Sequence, residues 1–480
     1  MFMNKVSPDQ GGASVGREGY AMASGNTGAS VWMKGFLAAS LMVLLALLVF
    51  NSLLYAGKVH LSLSMPLNAV WRAGVYLLIL VNLGVLAWRV YLVLRYRPAP
   101  HCADEELVSC TVIIPAYNEG RQVLDTLRSV MASDYPADKL QVICVDDGSK
   151  DDTWLWMHRG GEEFGDRVEL IRAPRNQGKR HALNHGFLRA TGNVIVTIDS
   201  DSEIETTTLR SIVSVFCRNP RVGAVAGNVR VLNTRQGIIP KMLDVAFTYS
   251  FDFIRASQST FNTVMCTPGA LSAYDAALVM KIRETWLRQT FLGQPANIGE
   301  DRAMTNLILK EGRLVHFQSD AVVYTNVPVK YRGLCKMMLR WARSNIRETI
   351  ALSRFGFTRF RPEPVLGAQV DLSHQWLRLT CNELLKLGLV SSLINWPGAT
   401  LYGLAVGMLL ASIMPAFLHL LRYRSPACLW AFPYTVLMLF GLTWISLYAL
   451  LTPHKNGWLT RDLAAAPLPA QERLWRDEAA

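Results

Sequence analysis

The chain has 480 residues, of which 51% are apolar and 18% charged, and its formal net charge is +12. This length is too great for one small domain, and the apolar excess indicates that part of the chain lies in a bilayer. The charge does not indicate a nucleic-acid partner, because the chain has no zinc-finger spacing and no basic patch with interleaved aromatic residues. The eight cysteines form no Cys-x-x-Cys pair, which argues against a zinc site or a disulfide framework.

Two apolar segments near the N-terminus are long enough to cross a membrane. Residues 1–31 are rich in Gly, Ser and Ala and are predicted to be a disordered tail. The region 32–97 is predicted to hold two transmembrane helices, over residues 32–55 and 73–94. Basic residues from Arg95 onward follow the second helix, so its end is expected to face the cytoplasm.

From residue 105 to residue 333 the pattern is that of a soluble α/β domain. Apolar strands alternate with helices, which predicts a doubly wound, parallel sheet. The main predicted strands are 110–115, 141–145, 168–172 and 194–198, and the main predicted helices are 119–133 and 179–190. Polar motifs follow these strands, so they are expected to meet at the edge of the sheet where ligands bind.

The clearest of these motifs is Asp199-Ser200-Asp201, which ends a buried, β-branched strand. Two carboxylates this close repel each other and need a cation, and hard oxygen ligands suit Mg²⁺ or Mn²⁺. An isolated pair of this kind is more often a solvated turn. The other motifs decide between the two interpretations.

Several further motifs occur in a fixed order along the chain. They are Pro115-Ala116-Tyr117-Asn118-Glu119, Asp146-Asp147-Gly148-Ser149, Gly178-Lys179-Arg180-His181-Ala182, Thr290-Phe291-Leu292-Gly293, Gly299-Glu300-Asp301-Arg302, Arg340-Trp341-Ala342-Arg343-Ser344 and Gly457-Trp458-Leu459-Thr460-Arg461. With these motifs the chain resembles the membrane-integrated family 2 glycosyltransferases. It is most similar to the branch that holds hyaluronan synthases and rhizobial chitooligosaccharide synthases.

The resemblance implies a GT-A (Rossmann-like) catalytic domain in the cytoplasm and an integral protein of the plasma (inner) membrane. It implies a processive, inverting β-glycosyltransferase that polymerises UDP-GlcNAc, with or without UDP-GlcA, and extrudes a hyaluronan- or chitin-like chain. The implied partners are a UDP-sugar, the growing polysaccharide and membrane lipids. A glucan synthase using UDP-Glc and a non-processive transferase to a lipid carrier remain alternatives. The intact acidic motifs argue against a third alternative, an inactive receptor.

The resemblance also implies roles for the motif residues. Asp201, with Asp199, would hold Mg²⁺ or Mn²⁺, and Asp301 would be the general base. Arg340 would clamp the diphosphate, and Trp341 would lie against the acceptor sugar. The residues implied to bind the UDP-sugar are Ala116, Tyr117, Glu119, Asp146, Asp147, Lys179, Asp199, Arg302, Trp458, Thr460 and Arg461, and those implied to lie near the acceptor are Cys266, Gly269 and Trp341.

Two positions depart from the family pattern. Met337 stands where the family usually has Gln, three residues before Arg340. Thr267-Pro268-Gly269 stands where hyaluronan synthases have Ser-Gly-Pro. Both departures concern contacts near the acceptor or the diphosphate, so the sequence leaves the identity of the product open.

Residues 334–396 are predicted to form amphipathic or interfacial helices. Arg378, Glu383 and Lys386 interrupt the apolar stretches of this region. Charges in mid-bilayer are costly, so the second half of the region is expected to lie along the membrane surface.

Residues 397–452 are predicted to hold two further transmembrane helices, the second over 429–451. An even number of C-terminal spans places the tail 453–480 in the cytoplasm. The tail contains the motif 457–461, which resembles the gating segment of the family. Arg422 and Arg424 would then face outward, against the positive-inside tendency.

Overall fold

The computed structural model describes residues 65–455. The predicted tail 1–31, the first predicted transmembrane helix and the motif with Trp458, Thr460 and Arg461 lie outside the described residues. The described part comprises an α/β domain and a set of long helices that pack against one side of it.

The domain is built on one eight-stranded sheet, with strand order β3-β2-β1-β4-β7-β6-β10-β5. Its strands are β1 (Cys110–Ala116), β2 (Leu140–Asp146), β3 (Val168–Arg172), β4 (Val194–Ile198), β5 (Ser202–Ile204), β6 (Val222–Val231), β7 (Leu271–Asp275) and β10 (Leu314–Thr325), and a separate hairpin pairs β8 (Thr290–Phe291) with β9 (Gln294–Pro295). The α/β prediction is confirmed, but the sheet is mixed. Strand β7 runs antiparallel to β4 and β6, and β5 runs antiparallel to β10.

Helices cover both faces of this sheet, which explains why its central strands are apolar along their whole length. The domain helices are α2 (Gln122–Met131), α3 (Thr153–Phe164), α4 (Lys179–Arg189), α5 (Thr208–Arg218), α6 (Ile238–Phe247), α7 (Ile254–Thr260), α8 (Ala276–Leu287) and α9 (Glu300–Lys310); α1 (Met65–Arg95) precedes the domain. Strands β2 and β4 both pair in parallel with β1, on its opposite sides. Their carboxyl ends therefore open a crevice at the point where the strand order reverses, the usual ligand site of such folds.

Two long helices follow the domain, α10 (Tyr331–Gly356) and α11 (Leu366–Asn395). Helix α10 is amphipathic as predicted, and it packs on α9, where Asn306 Nδ2 donates to Glu348 Oε2 at 2.8 Å. Helix α11 begins against the end of α7. A Cβ at Gly367 would lie only 2.6 Å from Phe261 Cγ, so only glycine permits this close approach.

Helix α12 (Pro397–Tyr423) ends against the catalytic domain. His419 Nε2 lies 3.2 Å from Asp244 Oδ2, and Arg422 Nε lies 3.1 Å from Asp252 Oδ2. Arg230 of β6 pairs with the same Asp244 at 2.9 Å. These contacts fix the C-terminal end of α12 on the domain side.

The direction of α11 follows from these two anchors. Helix α12 has 27 residues, which span about 40 Å at 1.5 Å per residue. Its first residue therefore lies far from the domain, and α11, which starts on the domain, must run out to meet it. The segment 367–396 thus leads from the domain to the start of α12. Arg422 lies beside the domain, where it contacts Asp252. The expected position of this segment along the membrane surface stays a prediction.

The apolar segment predicted as one transmembrane helix over 429–451 forms a bent pair of helices in the structure. A helical stretch over Pro426–Gly441, which includes α13 (Ala431–Val436), is followed by α14 (Trp444–Leu451) at an angle of 48°. The chain then contacts α10, where Arg343 Nη2 donates to Thr452 Oγ1 at 2.9 Å. Within the described residues, two helices are long and apolar enough to cross a membrane, Leu77–Arg95 and Thr400–Tyr423, or three if the bent pair is counted as one span.

The buried carboxylate of Asp244 provides a test of how α12 is held. In Asp244→Ala, Arg230 and His419 lose their common partner inside a buried interface. We expect a clear fall in the thermal unfolding temperature in detergent, because removing one partner of a buried ion pair costs about 3–5 kcal/mol. Glu284→Ala, which removes surface ion pairs, is the control and should change stability little. Equal stability of the two variants would mean that the ion pairs of Asp244 do not contribute to holding α12.

Candidate active site

Three charged side chains meet where β4 ends and α4 begins. Lys179, the first residue of α4, donates to Asp199 Oδ1, and its Nζ lies 3.5 Å from Glu300 Oε1. Burial opposes the charge on Lys179, but Asp199 and Glu300 outweigh it and raise the pKa of the ammonium. Lys179 therefore stays charged and joins the end of β4 to the start of α9.

Asp201 lies two residues beyond Asp199 and faces the same crevice. Its Oδ1 accepts from Ser202 Oγ at 3.2 Å and from Thr325 Oγ1 at 3.3 Å. Among residues 65–455, no three His, Cys, Asp or Glu side chains come close enough to form a complete metal site. A Mg²⁺-type ion usually takes one or two carboxylates and completes its shell with substrate phosphates and water. The pair Asp199 and Asp201 fits such an ion bound together with a nucleotide.

The two neighbouring acids after β2 have different environments. Asp147 lines the crevice, and its carboxylate accepts backbone N–H groups from Gln177 at 3.0 Å and Gly178 at 2.7 Å. Asp146 is fully buried, accepts the backbone N–H of Ser149 at 2.9 Å and does not line the cavity. Of the two, only Asp147 lines the cavity, and Asp146, which the sequence also assigned to the UDP-sugar, is buried behind it.

Asp301 lies in the first turn of α9, directly after Gly299 and Glu300. Its Oδ1 accepts the backbone N–H of Arg302 at 2.7 Å, and its Oδ2 lies 3.8 Å from Cys266 Sγ. Burial, followed by the like charge of Glu300, raises the pKa of Asp301. A carboxylate whose pKa is raised in this way is a better proton acceptor than an exposed one.

A single glycine lets α9 approach α10 at this point. Gly299 has φ +80°, and a Cβ there would lie 1.9 Å from Ser344 Oγ. Only glycine accepts both the conformation and the contact. The Gly299-Glu300-Asp301 motif is therefore placed beside the Arg340-Trp341 motif of α10.

Arg340 and Trp341 face the cavity from α10. Arg340 Nε is buried and has no hydrogen-bond partner in residues 65–455. Trp341 is about one-third exposed and lies against Phe247 and Phe251, with ring centroids 6.0 and 6.2 Å apart. Together they offer a cation and an aromatic face to a ligand.

Arg255 of α7 also lines this cavity, and the sequence analysis did not include it. Its side chain is buried over the ring of Phe251 at 4.2 Å, and its Nη1 has no hydrogen-bond partner among the described residues. Burial lowers the pKa of Arg255 to about 10, so the guanidinium remains charged at neutral pH. No local sequence motif marks this residue.

Cys266 lies beside Asp301, with its Sγ 3.8 Å from Asp301 Oδ2. Burial raises the pKa of its thiol to about 11, so it stays protonated and acts as a small packed side chain. Nearby, Gly269 leaves room for Lys179, because a Cβ at residue 269 would lie 2.7 Å from Lys179 Nζ.

One cavity of about 1350 Å³ connects most of the expected site residues. Those that line it are Ala116, Tyr117, Glu119, Asp147, Lys179, Asp199, Asp201, Cys266, Gly269, Asp301, Arg302, Arg340 and Trp341. The cavity extends past these residues along α11, where its lining includes Asp371, His374, Arg378, Asn382 and Lys386. These five residues, spaced three or four apart on one face of α11, are called the polar stripe.

A chain of hydrogen bonds links the site to the polar stripe side of α11. Arg302 Nη1 donates to Asn345 Oδ1 at 2.6 Å, and Gln375 Nε2 donates to the same oxygen at 2.6 Å. The residue after Asp301 is thus tied through α10 to α11. A displacement of α11 would therefore affect the position of Arg302, the residue after Asp301.

Comparison with known proteins agrees with this geometry. The model of the family described as glycosyltransferase like family 2 matches residues 109–344. A hyaluronan synthase of Streptococcus pyogenes is 31% identical over 312 residues, which cover 63% of this chain and 72% of that protein. The chain belongs to family 2 of the glycosyltransferases. An N-acetylglucosaminyltransferase of Rhizobium sp. (strain N33) is 29% identical over 76% of this chain and 81% of that protein.

The fold of this family 2 enzyme is also found in a solved structure. A mannosyltransferase from Pyrobaculum calidifontis, in complex with GDP-Man and Mn²⁺, superposes with a TM-score of 0.54 at 24% identity. The match covers 76% of this chain and 98% of that one. It supports a GT-A domain here and, at this identity, shows the fold alone.

Proposed function

We propose that this family 2 enzyme is a processive, inverting β-glycosyltransferase. It polymerises UDP-GlcNAc, with or without UDP-GlcA, into a hyaluronan- or chitin-like chain and extrudes that chain across the membrane. The observation that carries the proposal is the single cavity that runs from Asp199, Asp201 and Asp301 past Trp341 and along α11. The similarity of this chain to hyaluronan synthases and N-acetylglucosaminyltransferases supports the choice of sugar.

The donor would bind at the carboxyl ends of β2 and β4. Asp201, with Asp199, would hold Mg²⁺ or Mn²⁺, which neutralises charge on the departing UDP. The Mn²⁺ in the mannosyltransferase of similar fold supports a divalent ion here. Lys179 at the start of α4 and Arg340, whose Nε has no hydrogen-bond partner in the described part of the chain, are cations available to diphosphate oxygens.

Asp301 would act as the general base. It would accept the proton of an acceptor hydroxyl as that oxygen attacks the anomeric carbon of the donor. One displacement inverts configuration, so an α-linked UDP-sugar yields a β-linkage. Trp341 would lie against the acceptor sugar, since an aromatic face suits the apolar side of a pyranose ring.

The polar stripe of α11 would line the exit path of the polymer. A charge in mid-bilayer costs about 2.5–3.5 kcal/mol on insertion scales, so such residues face the protein interior and mark substrate pathways. The opposite face of α11 carries exposed Leu384, Leu387, Val390 and Ile394, as a lipid-facing side requires. We therefore propose that α11 crosses the membrane.

This assignment changes the proposed topology but keeps both chain ends in the cytoplasm. The catalytic domain must face the cytoplasm, where UDP-sugars are found. Helix α11 would cross the membrane outward, and α12 would cross it back to the cytoplasm. The bent pair 426–451 would enter the membrane and leave it on the cytoplasmic side. Arg422 and Arg424 would then be cytoplasmic, in agreement with the positive-inside tendency. The tail 453–480 would be placed to close over bound UDP.

The direct test of the function is to measure UDP release from single UDP-sugars and from pairs, and then to size the product. A processive synthase gives long chains when only a small part of the donor has been consumed. Products one sugar longer than the acceptor would indicate a non-processive transferase instead. Long chains from UDP-Glc alone would indicate a glucan synthase.

Asp201→Asn tests the metal site. It keeps the shape of the side chain but removes its charge, so divalent binding should weaken and turnover should fall by two or more orders of magnitude, as about 3 kcal/mol of lost transition-state stabilisation implies. Asp138→Asn, at an exposed carboxylate outside the cavity, is the matched control. Turnover near that of the control at saturating Mg²⁺ or Mn²⁺ would refute the assignment.

Asp301→Asn tests the base. Transfer should be abolished while UDP affinity stays nearly unchanged, because the base acts only in the transition state. Calorimetric titration with UDP and a transfer assay on the same preparation measure the two properties. If UDP affinity falls as far as the rate, Asp301 belongs to the donor site.

The topology is tested by cysteine labelling of intact cells. Single cysteines replace Asn395, Ser425 or Lys455 in a background without the eight native cysteines. An impermeant thiol reagent should reach position 395 and should reach positions 425 and 455 only after lysis. Labelling of position 425 from outside would contradict this topology and support the interfacial position of α11 that the sequence predicts.

A further inference from the structure

Three arginines that line the cavity have a buried N–H group without a hydrogen-bond partner among residues 65–455. These groups are Arg89 Nε, Arg255 Nη1 and Arg340 Nε. Arg89 is neutralised by Asp371 at 2.9 Å, and Arg340 is assigned above to the diphosphate. Arg255, which is only 7% exposed, has no such partner or role. Buried donors are normally satisfied, so its Nη1 indicates a missing ligand atom.

The backbone around Arg255 directs its side chain into the cavity. A π-helical turn, Thr248–Phe253, joins α6 to α7, and such turns occur mostly at functional sites. Phe251 in this turn lies under the guanidinium of Arg255, which is 4.2 Å from the centre of the ring. Phe251 also meets Trp341 edge-on, with ring centroids 6.2 Å apart. Arg255 is therefore linked through one aromatic ring to the proposed platform for the acceptor sugar.

The same guanidinium lies close to the proposed base. Burial lowers the pKa of Arg255, and the nearby groups of Cys266 and Asp301 act against this effect. Cys266 is itself in contact with Asp301, at 3.8 Å between Sγ and Oδ2. Arg255 thus adjoins both the aromatic face that would receive the acceptor and the carboxylate that would take its proton.

We infer that Arg255 is an acceptor-binding residue, whose Nη1 donates a hydrogen bond to an oxygen of the terminal sugar of the growing chain. This bond turns the attacking hydroxyl toward Asp301. The ligand atom is a neutral hydroxyl or amide oxygen, because Arg255 lacks a hydrogen-bond acceptor while the ring face of Phe251 already offsets part of its charge. The inference rests on the proposed polymerising function and adds a residue to its acceptor site.

Two other partners could satisfy the same N–H group, namely the diphosphate of the donor and a water molecule. The neighbours of Arg255 favour the acceptor, because Phe251, Trp341 and Cys266 belong to the acceptor side of the cavity. Diphosphate binding would make Arg255 a donor-site residue, and water would leave it without effect on either substrate. The three partners therefore predict different kinetics.

The test uses the full-length protein in nanodiscs, with labelled UDP-GlcNAc as donor and chitotetraose as soluble acceptor. Arg255→Met removes every N–H donor and keeps an unbranched side chain. It should raise the KM for chitotetraose about tenfold, the effect of losing one hydrogen bond to a charged group, and leave the Kd of UDP unchanged. Arg255→Lys, which keeps the cation, should recover part of the affinity for chitotetraose.

Two further measurements separate acceptor binding from a structural role. Without added acceptor, the ratio of UDP released to sugar incorporated should rise in Arg255→Met, because water replaces a misplaced hydroxyl. The thermal unfolding temperature without sugar should not fall, since an apolar side chain replaces a buried cation. If Arg255→Met does not fold, Arg255→Gln takes its place in each comparison.

Arg354→Met is the matched control, because Arg354 is exposed on α10 and lies outside the cavity. Its KM for chitotetraose should equal that of the wild type. A wild-type KM and UDP ratio in Arg255→Met would overturn the inference and leave the proposed function intact. A loss of UDP affinity as large as the rise in KM would assign Arg255 to the diphosphate and also overturn it. If the wild type neither elongates chitotetraose nor forms polymer from any UDP-sugar, the proposed function itself is refuted.

Discussion

The ion pairs of Lys179 hold the two halves of the site together. Its ammonium contacts Asp199 at the end of β4 and Glu300 at the start of α9, two elements that are distant in sequence and adjacent only in the fold. Without this cation, the carboxylates of Asp199, Glu300 and Asp301 would repel one another in a poorly solvated crevice. The position of the proposed base is therefore tied electrostatically to the proposed metal site.

A second constraint is the close contact between the catalytic domain and the helices that follow it. Gly299 admits Ser344, and Asn345 binds both Arg302 and Gln375. The domain, α10 and α11 are thus packed as consecutive layers around one cavity. This arrangement suits the proposed synthase, because an acceptor bound beside α10 would leave the site along the cavity wall that α11 forms.

Charged side chains that line the cavity along α11 are paired with one another. Arg89 contacts Asp371 at 2.9 Å, and Lys386 contacts Glu383 at 2.8 Å. If α11 crosses the membrane as proposed, this pairing lowers the cost of holding these charges away from water.

The amino-acid sequence by itself determined the alternation of strands and helices and the motifs at their ends. Buried parallel strands read as continuous apolar runs, and the acids that follow them must lie at one edge, so Asp147, Lys179 and Asp199 were correctly expected to meet. Only the tertiary structure decided that Asp146 is buried away from the cavity, that Arg255 lines it and that β7 runs antiparallel. These features depend on contacts between residues far apart in the chain, which local periodicity does not encode. The place of Arg378, Glu383 and Lys386 in the cavity lining and the bend near Thr443 have the same origin.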